Sequence, residues 1–185
     1  MKRDINFALV KPFDLQKFAE AIQGKQIVYL FRVLSKATTK AATLMAFATE
    51  NERTKSKDAD STATKDGSIR TPGVSETEIT ATAILAKGDT LIDELDEAME
   101  NDELVECWEV NRAEKGISDN AQKYKAKYFQ GYITELTVTT SAEDMAEVSI
   151  TYGANGSGED GYATLSAEQE AMASYSFADT TQQTE

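Results

Sequence analysis

Histidine is absent from all 185 residues. That removes the commonest general base, the Ser–His and Cys–His nucleophilic pairs, and most zinc sites. Cysteine is almost absent: Cys107 stands alone and can close no internal disulfide, which suits a reducing cytosol. It lies between Glu106 and Trp108, where carboxylates disfavour a thiolate, so a core or strand cysteine is expected rather than a nucleophile. No long apolar run occurs and mean hydropathy is −0.45, which excludes a membrane-spanning helix. In the opening MKRDINFALVK the apolar stretch is too short and too interrupted for a secretory signal peptide. Positive charge is scarce, with 19 Lys and Arg against 32 Asp and Glu, a net charge of −13. A chain this acidic is not expected to grip nucleic acid, because phosphate binding needs clustered Lys and Arg.

What is present is a 41% hydrophobic chain, enough for a real core in one domain, or one domain with arms. The charge is uneven. Residues 1–70 carry 13 basic and 8 acidic side chains, whereas residues 71–185 carry 6 and 24. Solubility is one reading of that excess; the other is that unlike ends of neighbouring copies meet.

The patterning is that of strands. Tyr124, Ala126 and Tyr128 alternate with Lys123, Lys125 and Lys127, the period of a strand with one wet and one dry face. Gly131 interrupts, as a bulge or close backbone approach would. Ile133, Leu136 and Val138 resume the pattern, and Ala146, Val148, Ile150 and Tyr152 repeat it after the turn-forming Ser141–Asp144. This predicts a long antiparallel hairpin. Residues 26–34 (QIVYLFRVL) read as a central strand, and Thr43–Thr49 as its hairpin partner. Residues 50–72 carry almost no apolar side chain and read as a long polar loop or a floppy hairpin, disordered or ordered on a partner. In Val74–Ala86, Ile79, Ala81, Ala83 and Leu85 share one face and Glu76, Glu78, Thr80 and Thr82 the other. Thr90 with Asp93 resembles a capping box, opening a helix to about Asn101 with a buried stripe of Leu91, Ile92, Leu95, Ala98 and Met99. Residues 104–110 form another strand, and 111–122 a polar loop. Near the start, Leu15, Phe18, Ala19 and Ile22 have helical spacing, so a short helix or an extended arm is expected there. Residues after Gly161 read as a C-terminal arm, ordered near Tyr162–Leu165.

Several motifs tempt and fail. Gly156–Gly161 matches G-x-G-x-x-G after a strand, but Glu159 and Asp160 would repel a phosphate and no βαβ unit can follow; a glycine-rich turn is expected. Ser118-Asp119-Asn120 lacks the companion β-lactamase motifs. Asn155-Gly156-Ser157 is only formally a glycosylation sequon. The acidic helix face lacks the oxygen-ligand spacing of a calcium loop, and three lysines on one strand fit a salt-bridged surface or subunit contact better than a nucleic-acid stripe. No catalytic, cofactor or metal residue emerges.

The segments Gly88–Asn111 (GDTLIDELDEAMENDELVECWEVN) and Tyr124–Gln169 carry a resemblance, concentrated in YFQGY (128–132), SAED (141–144) and residues 155–164. Here the chain resembles the major tail protein, or tail tube protein, of long-tailed siphophages of Gram-positive bacteria. The resemblance implies a mainly β, tail-tube-type β-sandwich or half-barrel with one flanking helix, a long polar loop and two terminal arms. The expected division is an arm over 1–25, the β domain over 26–165 and a second arm over 166–185. It implies a structural virion protein, assembled in the host cytoplasm and not an enzyme, whose partners are itself in stacked hexameric rings, the tape measure protein, and tail terminator and baseplate proteins. DNA would pass through without specific binding. Two faces are candidates for the channel lining, Glu76/Glu78/Thr80/Thr82 or Glu147/Ser149/Thr151. The polar stretch bearing Arg53, Lys55, Lys57, Lys65 and Arg70 is the candidate inter-ring contact. A tail terminator, a baseplate hub or a host-binding module are the competing expectations.

Overall fold

The computed structural model describes residues 21–172. The helical pattern expected over 13–22 lies, up to Glu20, outside the described residues. Ile27–Val33 (β1) is β-branched and aromatic throughout, and it pairs antiparallel with Val105–Lys115 (β5) from Ile27↔Asn111 to Val33↔Val105. Tyr124–Thr139 (β6) and Glu147–Ala154 (β7) form the expected hairpin, closed over residues 140–146. The full order is Thr43–Leu44 (β2), β1, β5, β6, β7, Gly67–Ile84 (β4), Ala48–Thr64 (β3), with every pairing antiparallel. Glu159–Ala163 (β8) pairs with the N-terminal part of β6, beyond the end of β7.

This sheet is not flat. Neighbouring strands lie about 4.8 Å apart, so β1 and β7, three spacings apart, would be separated by ~14 Å in a plane. Yet the Phe31 and Tyr152 rings meet edge to face at 6.2 Å, and the Tyr152 hydroxyl donates to the Val105 carbonyl at 3.0 Å. The sheet therefore curls over its apolar face into a half-barrel. Ile79, Ala81 and Ala83 of β4, Val148, Ile150 and Tyr152 of β7, and Phe129 and Ile133 of β6 fill it. Thr90–Glu100 (α1) closes it with Leu91, Ile92, Leu95 and Ala98, packed against β1 and β6. Each such fully buried aliphatic side chain contributes about 1.5–3 kcal/mol relative to exposure. Cys107 is buried in this core.

The sequence reading needs several corrections. Of the two readings of residues 50–72, the hairpin holds and the loop does not: β3 and β4 pair from Ala48↔Ala83 to Thr64↔Gly67, around a tight Lys65-Asp66 turn. Alternation of hydroxyl and charged side chains conceals a ladder that needs no apolar residue, because the backbone pairs with itself. The strand expected over Thr43–Thr49 stops after two residues, where Ala46-Phe47 turns with Phe47 at φ 51°. As a result β1 has only this fragment on its outer side and lies close to a sheet edge. The helix cap is Asp89, one residue earlier than expected, its carboxylate accepting from the Leu91 amide at 2.9 Å. Met99 (38%) and Leu85 (40%) are exposed. β5 runs on through residues 111–115 with an irregular register, since Lys115 still pairs with Tyr124.

Glycine decides two local structures. At Gly131 a Cβ would stand 2.0 Å from the Gly153 carbonyl oxygen, so this is the close backbone approach, and the bulge follows between Ile133 and Glu135. At Gly158 (φ +72°) a Cβ would strike the Phe129 ring at 2.4 Å. The glycine-rich motif is thus an insertion in the strand line β7–β8, not the start of a helix. Gly131→Ala should destabilise the fold by at least ~2 kcal/mol through forced strand separation. Gly161→Ala, which meets nothing within 4 Å, should stay within ~0.5 kcal/mol; urea melts of both variants check the contrast.

Candidate assembly surface

The convex face of the half-barrel divides in two. Across β1, β5 and the start of β6 it is apolar: Leu30, Val110, Tyr124 and Ala126 pack with Leu165. The short helix Ala167–Met172 (α2) is tied down there, with the Tyr124 hydroxyl donating to Glu170 at 3.0 Å and Gln169 donating to the Ala42 carbonyl at 2.8 Å. Beside it Arg32 pairs with the buried Glu106 at 2.7 Å and lies 5.0 Å over the Trp108 ring, while Tyr128 donates to the same carboxylate at 2.7 Å. Each oxygen of the Glu106 carboxylate thus has a donor, as a buried acid needs, which fits a structural cluster.

The other half is the wet face, and register joins what the sequence left as alternatives. β4 pairs with β7 so that Thr80 faces Thr151, Thr82 faces Ser149 and Ile84 faces Glu147. Glu76, Glu78, Thr80 and Thr82 therefore share one surface with Glu147, Ser149 and Thr151; the Thr82 and Ser149 hydroxyls meet at 3.2 Å. β3 adds Glu50 and Glu52, opposite Thr82 and Thr80, and β6 adds Glu135, Thr137 and Thr139, opposite Thr151, Ser149 and Glu147. The result is a surface four strands wide, of carboxylates and hydroxyls. None of its glutamates has a cationic partner among the described residues. Sequence reasoning missed Glu50, Glu52 and Glu135, since only strand order brings them there.

Cations are sorted to the opposite side. Along β3, Glu50, Glu52 and Thr54 alternate with Asn51, Arg53 and Lys55, and these last pair with the core-facing Ala81, Ile79 and Thr77. Arg53 reaches across the mouth of the half-barrel to Glu109 of β5, which also accepts from the Tyr29 hydroxyl at 2.8 Å. Of the five cations expected to make an inter-ring contact, Arg53 is thus engaged inside its own subunit. Lys55, Lys57, Lys65 and Arg70 stand exposed on a two-stranded arm that leaves the sheet at Thr77, where β7 ends. The lysine stripe of β6 is salt-bridged as expected: Lys125 to Glu114 at 3.0 Å and Lys127 to Asp160 at 2.8 Å.

Burial, then the Glu109 carboxylate, pushes the Tyr29 phenol well above its ordinary value; burial does the same for Tyr152 and for the Cys107 thiol. The fold holds these protons more tightly than the unfolded chain does. Their contribution is complete below the ordinary thiol and phenol values and drains as pH rises through about 9 to 12. The urea midpoint should accordingly hold up to about pH 9 and fall steeply between about pH 9 and 12; a flat profile would contradict the burial of these groups.

Residues 21–160 match the family model described as phage tail tube protein. A "Putative tail protein" of Staphylococcus phage phiMR25 is 38% identical over 124 residues, covering 67% of this chain and 64% of that protein. The chain thus spans just under two thirds of that relative's length. Among solved structures, the SPP1 tail tube is similar with a TM-score of 0.68 at 22% identity, covering 89% of this chain and 95% of that one. A gene transfer agent tail is similar with a TM-score of 0.56 at 13% identity, covering 78% and 100%. These last two likenesses concern the fold, a mainly β half-barrel with few helices. With the family model matched over most of its length, the chain belongs to the phage tail tube protein family.

Proposed function

We propose that this chain is the repeating subunit of a phage tail tube. Six copies close a ring, rings stack head to tail, and the four-strand acidic face lines the bore. Six is the symmetry of the gene transfer agent tail. The observation that carries the reading is that acidic face: wide, exposed, and without a cation among the described residues. DNA carries one negative charge per ~1.7 Å of axis, and a wall of like charge keeps it from adsorbing as it passes. The long edge of β3 supports the ring, because an exposed strand edge is a template for pairing with another copy and a closed ring leaves none. Unlike ends of one subunit suit heterologous stacking.

The arm serves as the tie between rings, with Lys55, Lys57, Lys65 and Arg70 as its cations. A tape measure protein within the bore, and terminator and baseplate proteins at its ends, complete the assembly, which forms in the host cytoplasm and ends in the virion. No bond is made or broken, so the subunit is not an enzyme. Negative-stain microscopy of the concentrated pure protein tests this. Long tubes of uniform width are expected; rings that never stack would indicate a terminator-type role, and monomers at every concentration would sink the proposal.

A further inference from the structure

We propose that Asn155-Gly156 is a site of spontaneous covalent modification, at which the chain converts its own asparagine to aspartate and isoaspartate through a cyclic imide. Asn155 alone among the asparagines is followed by glycine. β7 ends at Ala154 and β8 begins at Glu159, and both lie against β6. Residues 155–158 leave the sheet between them as a turn pinned at both ends. The Asn155 amide donates to the Gln130 carbonyl at 2.7 Å, and Gly158 stands against the Phe129 ring. Between the pins, Asn155, Gly156 and Ser157 are exposed. Gly156 lies at φ +79°, and a Cβ built on it would meet nothing within 4 Å. Its amide has no hydrogen-bond partner among the described residues, and neither has the Asn155 side chain. A nucleophile and its target are thus adjacent in the chain, and both are open to water.

Solvent hydroxide takes the Gly156 amide proton. The nitrogen attacks Cγ of Asn155, a new C–N bond closes the imide ring, and the side-chain nitrogen takes a proton from water and leaves as ammonia. Water then opens the ring at either carbonyl. One opening leaves aspartate at 155; the other leaves isoaspartate, with the main chain routed through the side-chain carbons. The sum is one water consumed and one ammonia released, with no oxidation or reduction. The attack is intramolecular and gains from proximity, and glycine leaves the nitrogen unshielded and the backbone free to turn. Two aspartates also precede glycine, and both are held out of this chemistry. Asp160 pairs with Lys127 at 2.8 Å, which keeps it ionised and a poor target, and Gly161 is locked in the ladder opposite Ala126. Asp66 also offers a carboxylate in place of an amide, and Gly67 is paired with Thr64. At Asn155 the change falls where the arm leaves the half-barrel, because Ala154 pairs with Thr77 on one side and Gly131 on the other. Isoaspartate lengthens the backbone there, and either product adds a negative charge to a turn that runs into Glu159 and Asp160.

Peptide mapping by mass spectrometry tests this on full-length protein kept in warm, mildly alkaline buffer. The expected result is a mass gain equal to the NH2-to-OH difference, confined to the peptide that holds Asn155. In water enriched in heavy oxygen the product should carry the label, and an isoaspartyl methyltransferase should methylate it. The folded chain should react within ~10-fold of the guanidinium-unfolded chain, since the turn leaves both groups open; any slower reaction would mean that the fold shields the pair, and would overturn the proposal. Asn155→Gln keeps the amide and the melting profile but disfavours the ring, and should react at least ~10-fold more slowly. An unchanged mass, a gain spread over the other asparagines, or equal rates in the glutamine variant would each overturn it as well. None of these outcomes bears on the tube reading.

Discussion

Subunits lacking residues 58–74, with Lys57 joined to Ser75 through an Asn-Gly turn, should fold as well as the full chain and fail to build tubes. Every residue removed is exposed, and the deleted ladder pairs only with itself, so the half-barrel loses no buried contact. Asn-Gly supplies the two-residue turn that a hairpin of this twist prefers. Stability should move by no more than ~0.5 kcal/mol, or roughly 2 °C in Tm for a chain of this size. In a free subunit the arm is a two-stranded hairpin without a core, marginal by itself in water, and its length is explained by what it reaches. Loss of even ~2.8 kcal/mol per subunit contact would raise the critical concentration for tube growth ~100-fold. Normal tubes from the shortened chain would remove the arm from the assembly.

Reversing the sign of the acidic face should have the second large effect, on passage and not on assembly. Glu78, Glu135 and Glu147 are exposed on adjacent strands and lack cationic partners among the described residues, so lysine at all three leaves the fold without a broken pair. In a ring those lysines would present clustered cations to passing phosphates, the condition for salt-dependent adsorption. Phage assembled with this variant should carry tails of native length and release DNA at least ~1000-fold more slowly. Triple Gln substitution should fall between. Raising salt toward ~1 M, where the Debye length shrinks to about 3 Å, should recover part of the rate. Native release from the lysine variant would mean that this face looks elsewhere.

The alternation in 74–84 and 146–152 made two strands and their dry faces legible, because a period of two survives in a single chain. The β6–β7 hairpin was readable for the same reason, helped by the turn chemistry of Ser141–Asp144. That β4 lies beside β7 was not readable: nothing local to Ile79 names Tyr152 as its neighbour. The two candidate linings therefore stayed separate until strand order merged them. For the arm, loop and hairpin stayed open as alternatives because polar, β-permissive residues such as those in DADSTAT serve disorder and exposed ladders alike. Arg53 misled for a related reason. Its sequence neighbours Lys55 and Lys57 are exposed, yet curling of the sheet brings it to Glu109, 56 positions away.

Image reconstruction of tubes grown from the pure protein tests the central claim most directly. The account predicts a bore bounded by β3, β4, β7 and the end of β6, with Glu50, Glu78, Glu135 and Glu147 pointing into it and α1 on the outside. A bore lined by α1, or by the apolar surface that carries Leu165, would contradict it.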